Sequence, residues 1–138
     1  MGLKEKRILA EIRDEKIPTY ERTLQEEHGV AATFAVNWDE WESDYAGTLH
    51  LDQGILFPVV SGIGRVARDT LGREALAEQI QRIVVGRKEN LDEFGLTLGA
   101  GSLTVAPAIV VTDEAFNKVD HNGLFEMTQV ERLLTEQL

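Results

Sequence analysis

The stretch ILFPVVSGIGRVA, residues 55–67, admits two readings, and the fold class turns on which one holds. With a helical period, Leu56, Val59, Val60, Ile63, Val66 and Ala67 fall at the i, i+3, i+4, i+7 spacing of a single apolar stripe. Pro58 then occupies the first turn, where its missing N–H leaves no intrahelical bond unmade. Read instead as strand, loop and helix, Gly62-Ile63-Gly64-Arg65-Val66-Ala67 is a G-x-G-x-x-A. That fingerprint brings backbone close to the pyrophosphate in dinucleotide-binding folds. Pro58 opposes this second reading, because a central strand would lose a ladder hydrogen bond there. The acid expected about 20 residues further on is also missing. Gly86-Arg87-Lys88 stand in its place, basic residues that suit a 2′-phosphate better than a ribose hydroxyl. Topology weighs more. The residues after Lys88 read as a hairpin and a terminal helix, not as further βα units.

Upstream, Val30, Ala32, Phe34, Val36 and Trp38 alternate with small or polar residues, the period of a half-buried strand. Trp38 is expected in the core, with Trp41 covering its edge. Thr48–Leu51 gives a weaker strand signal. Residues 3–28 carry a helical stripe through Ile8, Leu9, Ile12, Tyr20 and Leu24. Pro18 disfavours helical backbone at Ile17, which predicts a kink or a fresh start. Gly29 is placed to stop the helix, with His28 in its last turn.

Downstream, Asp69 to Gly72 marks a break, with Thr70 as candidate N-cap of a helix carrying Leu76 and Ile80. Ile83–Val85 is a β-branched strand. Phe94, Leu96 and Leu98 alternate, as do Leu103 and Val105, on either side of Gly99-Ala100-Gly101-Ser102. This predicts a β-hairpin with a four-residue loop. Ala108–Val111 extends its second arm, with Pro107 at an edge or bulge. Asp120-His121-Asn122-Gly123 is turn chemistry, and Met127, Val130, Leu133, Leu134 and Leu138 predict a final amphipathic helix. The whole is α+β, one domain over residues 1–138. An antiparallel-rich sheet of four to five strands packs with an N-terminal helix, a central helix pair and a C-terminal amphipathic helix.

Composition narrows the function classes. Of 138 residues, 43 % are hydrophobic, enough for burial to offset chain entropy, which argues against disorder. The formal charge of −10 argues against duplex nucleic acid, whose phosphates need a basic footprint. With no Cys, disulfides, thiolate nucleophiles and Cys-ligated zinc are excluded by inventory, and a cytoplasmic protein is expected. The N-terminus is too charged for a secretory leader. The longest apolar stretch, Ile55 to Val60, is interrupted by Pro58 and falls far short of the ~20 residues of a membrane span.

Charge is unevenly spread. Between residues 29 and 64 the charged side chains are Asp39, Glu40, Glu42, Asp44 and Asp52, with no Lys or Arg. Arg65, Arg68, Arg73, Arg82, Arg87 and Lys88 follow, and the chain after Lys88 is acidic again. Arg65 and Arg68, at i, i+3 on a helix, share a face that suits an anion or the acidic turn of a second copy.

Three sets of candidate residues emerge. In WDEWESDY, residues 38–45, Trp38, Trp41 and Tyr45 are interleaved with Asp39, Glu40, Glu42 and Asp44, aromatic anchors ringed by charge as in a protein-binding epitope. A calcium loop started at Glu42 fails, since Ala46 and Gln53 stand where oxygen ligands are needed. Gly62, Gly64, Arg65 and Arg68 form the second set, for a nucleotide or other anionic ligand. Asp44, His50 and Asp52 form the third, a metal-dependent hydrolase site with His50 and Asp52 on one strand face. Ser61 lies outside a G-x-S-x-G elbow, and no catalytic constellation is visible. The favoured expectation is a non-enzymatic interaction protein, adaptor-, chaperone- or inhibitor-like. It needs no cofactor or metal, and its partner is another protein or a second copy in a homodimer.

Overall fold

The computed structural model describes residues 2–42, 45–88, 95–113, 118–122 and 127–138. The N-terminal stripe forms one unbroken helical run: α1 (Leu3–Glu11), a π-helical segment (Ile12–Lys16) and α2 (Ile17–His28). The disturbance expected at Pro18 takes the form of that π segment. A regular α-helix would set the proline ring against the carbonyl of Asp14 and leave that carbonyl without a donor. The wider turn, in which the Ile17 N–H bonds to the Ile12 carbonyl, accommodates the ring without ending the helix. Thr19 Oγ1 donates to the Glu15 carbonyl at 2.8 Å, a side-chain donor next to the missing backbone one. Gly29, at φ 71°, closes α2 in the left-handed region, and its N–H and that of Val30 both donate to the Leu24 carbonyl.

Strand β1 (Thr33–Val36) is shorter than the alternating pattern suggests, because Trp38 opens a helix, α3 (Trp38–Glu42). A second long run follows: α4 (Tyr45–Leu51), another π segment (Asp52–Leu56) and α5 (Phe57–Val66). The weak strand expected at Thr48–Leu51 is therefore helix. Pro58 sits two residues after the π segment within a continuing helix, not at its start. The helical reading of residues 55–67 holds. After a turn at Ala67–Asp69 comes α6 (Thr70–Gln79), whose N-cap is Asp69, not Thr70: Asp69 Oδ1 accepts the Gly72 N–H at 2.8 Å. Arg73 Nε donates to the Ala67 carbonyl at 2.8 Å, which satisfies the end of α5 and fixes the corner between the two helices.

The remaining strands are β2 (Arg82–Val85), β3 (Gly95–Gly99), β4 (Ser102–Ala106), β5 (Ala108–Asp113) and β6 (Lys118–Asn122), and α7 (Met127–Gln137) follows them. The main sheet has four strands in the order β1-β2-β4-β3. The fold is α+β as expected, but the sheet is not antiparallel-rich. β1 with β2 and β2 with β4 are parallel pairs, and β3 with β4 is the antiparallel one. The cause is connectivity. The helices α3 to α6 carry the chain from the end of β1 back to the start of β2, and such a crossover produces parallel strands. The predicted β3–β4 hairpin forms, with a tighter loop than expected. Gly99 pairs with Ser102, and Ala100 (φ 52°) and Gly101 (φ 77°) make a two-residue turn in the left-handed region that a right-twisted hairpin favours. β5 does not extend β4. It leaves after Pro107 and pairs with β6 in a separate two-stranded antiparallel ribbon. Asp120, His121 and Asn122, read above as turn residues, belong to β6, while Phe94 and Gly123 lie outside the described residues.

Helices cover one face of the sheet. Ile83, Val85, Leu103 and Val105 are fully buried there against a core that includes Leu24, Ile55, Val59 and Ile63. Each such side chain contributes about 1.5–3 kcal/mol by leaving water. The outer edge of β1 is short and blocked, since the Phe34 N–H is taken by Glu21 Oε2 at 2.9 Å. Among the described residues no helix is long and apolar enough to cross a membrane.

Candidate functional site

The acidic aromatic segment folds largely inward. On α3, Trp38 and Trp41 are i, i+3 neighbours, and the deeper of the two is Trp41, fully buried, while Trp38 is half-buried against the core. The expected order is thus reversed. The reason is that Trp38 begins a helix and does not end a strand, so the next turn of that helix carries Trp41 into the core. Thr48 Oγ1 donates to the Trp41 carbonyl at 3.2 Å and ties α3 to α4. The buried Trp41 indole N–H has no hydrogen-bond partner among the described residues. Glu40 also works inside the fold. Its Oε2 accepts the Arg87 N–H at 2.7 Å and its Oε1 accepts Asn37 Nδ2 at 2.6 Å, which joins α3 to the chain leaving β2. Asp39 and Glu42 are exposed. Asp44 and the Tyr45 side chain lie outside the described residues.

Gly62 and Gly64 lie in the middle of α5, not in a loop. Two residues apart on a helix, they face different neighbours. A Cβ at Gly62 would stand 2.5 Å from Val130 Cβ and 2.9 Å from the Met127 carbonyl, and one at Gly64 would stand 2.8 Å from the His28 ring. Both glycines therefore admit close helix packing, Gly62 against α7 and Gly64 against the end of α2. Arg65 Nε pairs with Glu131 Oε2 at 2.9 Å. Arg68 lies past the end of α5, in the turn, so the two arginines are not consecutive residues of one helical face. They still meet at a shallow groove of about 300 Å³, which Asp69, Leu71 and Glu131 also line.

His50 and Asp52 are helical, and residues two apart on a helix do not face each other. The Asp52 carboxylate instead accepts the Tyr20 hydroxyl and Gln53 Nε2. Burial, then that hydrogen bond, then the carboxylate's charge raise the Tyr20 phenol far above its ordinary range and keep it a donor. Among the described residues no three His, Asp or Glu side chains are grouped to hold a metal ion.

A feature that the sequence motifs did not single out lies between α2, α5 and the start of α7: an open cleft of about 670 Å³. From α5 come Phe57, Val60, Ser61 and Gly64, the i, i+3, i+4, i+7 positions of a second helix face. Tyr20, Thr23, Glu27 and His28 of α2 stand opposite, and Met127 closes one side. Phe57 is 44 % exposed there. A sequence signal existed. Phe57 falls outside the stripe of Leu56, Val59, Val60 and Ile63 that the core takes up, and a large apolar residue off that stripe marks a second surface to cover.

Comparison with known proteins finds no matching family model, no matching curated protein and no matching solved structure.

Proposed function

We propose that the protein is a non-catalytic interaction domain, adaptor-, chaperone- or inhibitor-like, and that a protein partner docks in the cleft between α2, α5 and α7. The observation that carries this reading is the second face of α5, where Phe57 stands 44 % exposed beside Val60 in an open cleft. An exposed aromatic with apolar neighbours and a polar rim has the anatomy of an interface hot spot. Charge defines the partner. The chain carries −10, the rim guanidinium of Arg65 is already paired with Glu131, and Glu27 stands on the opposite side. The occupant that fits is a segment with an apolar anchor and basic flanks. An amphipathic helix lying between two helices is a common form of such docking, and the acidic field speeds its approach.

This reading keeps the class of partner expected from the acidic aromatic segment and moves the contact to another surface. Trp41 and Glu40 are committed to the interior, so residues 38–45 offer less to a partner than their composition suggests. An anionic ligand at Arg65 and Arg68 draws less support, because Asp69 and Glu131 share that groove. Cys-free composition is consistent with a cytoplasmic place of action.

Fluorescence anisotropy with a labelled amphipathic Leu/Lys helical peptide tests the reading. The protein should bind it and leave the matching Leu/Glu peptide unbound. The exposed-site change Phe57→Ser should weaken binding at least about tenfold, the size of a modest hot spot. Equal affinity before and after Phe57→Ser would overturn the reading. Sedimentation velocity on the free protein addresses the other expected partner: a dimer that Phe57→Ser dissolves would make a second copy the occupant.

A further inference from the structure

The two edges of the main sheet are finished differently. At β1 the Phe34 N–H is taken by Glu21 Oε2, which blocks that edge to a further strand. At β3 the direction of the free backbone groups follows from β4. The Gly86 N–H bonds to the Val105 carbonyl and the Arg82 N–H to the Gly101 carbonyl, so the odd-numbered residues of β4 turn toward β2. Ser102, Thr104 and Ala106 turn toward β3, where Gly99, Thr97 and Gly95 are their partners. Leu96 and Leu98 therefore direct their N–H and C=O groups away from the sheet. Among the described residues nothing bonds to them. β3 also lacks the usual guards of an open edge, since it has no charged residue, no proline and no bulge. Its sequence, Gly95-Leu96-Thr97-Leu98-Gly99, reads the same in both directions.

We propose that β3 pairs antiparallel with β3 of a second copy, about a two-fold axis passing between the two Thr97 residues, and so joins the main sheets of both copies into one. An axis there sets Leu96 of each copy opposite Leu98 of the other. Each such pair exchanges N–H···O=C bonds, and every outward donor and acceptor of both strands is used. The palindrome makes opposed side chains alike, apolar against apolar on the inner face and hydroxyl against hydroxyl on the outer. On the inner face Leu96 and Leu98 are only half-buried at the margin of the core, and the leucines of the second copy cover them. On the outer face Thr97 is exposed, and a cross-strand Thr–Thr pair is a favourable one. Charge selects this line of contact. Two copies at −10 each repel, and β3 brings no carboxylate to the axis. No residue of β3 lines the α2–α5–α7 cleft, so the pairing does not rest on what docks there.

Sedimentation equilibrium on the full chain tests the pairing. β3 is 5 residues long, so the dimer is a weak one, and its fraction should rise with concentration up to about 1 mM. Thr97 is exposed, so Lys or Glu fits there without disturbing the core. Thr97→Glu sets like charges opposite each other across the axis and should weaken the dimer at least about threefold. Thr97→Lys mixed with Thr97→Glu sets opposite charges there. The mixed dimer should be at least about threefold tighter than the geometric mean of the two separate variants, a comparison from which the change in overall charge cancels. Phe57→Ser should leave the dimer intact, which separates it from self-association through the cleft. A wild type that stays monomeric at every concentration overturns the proposal and leaves the edge to an extended segment of another protein. The proposal is equally overturned by a dimer that Phe57→Ser dissolves or that Thr97→Glu leaves unchanged. A mixed dimer no tighter than the mean also overturns it, because Thr97 then does not meet itself.

Discussion

The Tyr20 hydroxyl donates to the Asp52 carboxylate across a sequence separation of 32, joining α2 of one long helical run to the first residue of the other run's π segment. No sequence pattern links the two residues: Tyr20 reads as part of a helical stripe and Asp52 as a candidate metal ligand. Their meeting follows from the packing of α2 against α5, and it bears on both stability and the shape of the cleft.

Replacing the phenol tests this link through pH. An unfolded tyrosine ionises near pH ~10, whereas native Tyr20 is held well above that, first by burial and then by Asp52. The native state therefore binds its proton more tightly than the unfolded state. The stabilisation is complete below pH ~10 and is lost as pH rises toward the native value. Urea unfolding should show stability falling above pH ~10, with a shallower fall in Tyr20→Phe. At neutral pH Tyr20→Phe should cost about 1 kcal/mol, the usual worth of one partly exposed hydrogen bond. An identical alkaline slope in both proteins would contradict the assignment.

The two glycines of α5 should respond differently to alanine. Ala gains up to about 1 kcal/mol in a helix interior, but at Gly62 it meets Val130 Cβ and the Met127 backbone. Gly62→Ala should therefore destabilise by about 1–3 kcal/mol through displacement of α7. Gly64→Ala meets only the His28 ring, the end of a side chain that can turn away. Thermal unfolding should find it near neutral.

Carboxylates of the acidic segment divide by role. Glu40→Ala removes the acceptor of the Arg87 N–H and of Asn37 Nδ2, and should cost about 1–3 kcal/mol. Asp39→Ala, at an exposed position, should change stability by no more than about 0.5 kcal/mol. Equal effects in chemical denaturation would return Glu40 to the surface.

Tryptophan emission checks the reversed burial. In Trp38→Phe the remaining Trp41, fully buried, should emit to the blue and resist acrylamide quenching. A red-shifted, readily quenched Trp41 would restore the surface epitope.

Local patterns made much of the fold legible. The stripe from Ile8 to Leu24, the stop at Gly29, the Gly99–Ser102 turn and the Val130–Leu134 face all describe short-range chemistry, and all appear as helix, cap, hairpin and helix. A further signal was present in the step from Ile12 to Ile17, five residues where a regular stripe takes three or four, the extra residue of a π segment. Strand direction was not legible from local pattern. It depends on where α3 to α6 return the chain, a long-range property. Trp38 and Trp41 exchanged places because the alternation beginning at Val30 runs on into Trp38, although the chain turns helical there. The cleft was hidden for a related reason: Phe57, Val60 and Ser61 read as ordinary helix residues until α2 and α7 are placed beside them.

The most direct test of the central claim, that the α2–α5–α7 cleft is the docking surface, is a ¹⁵N–¹H correlation titration with the amphipathic Leu/Lys peptide. Saturable shifts confined to Thr23, Phe57, Ser61, Gly64 and their neighbours, absent in Phe57→Ser, are the predicted result. Shifts centred on Trp38–Glu42, or spread evenly over the acidic surface, would contradict it.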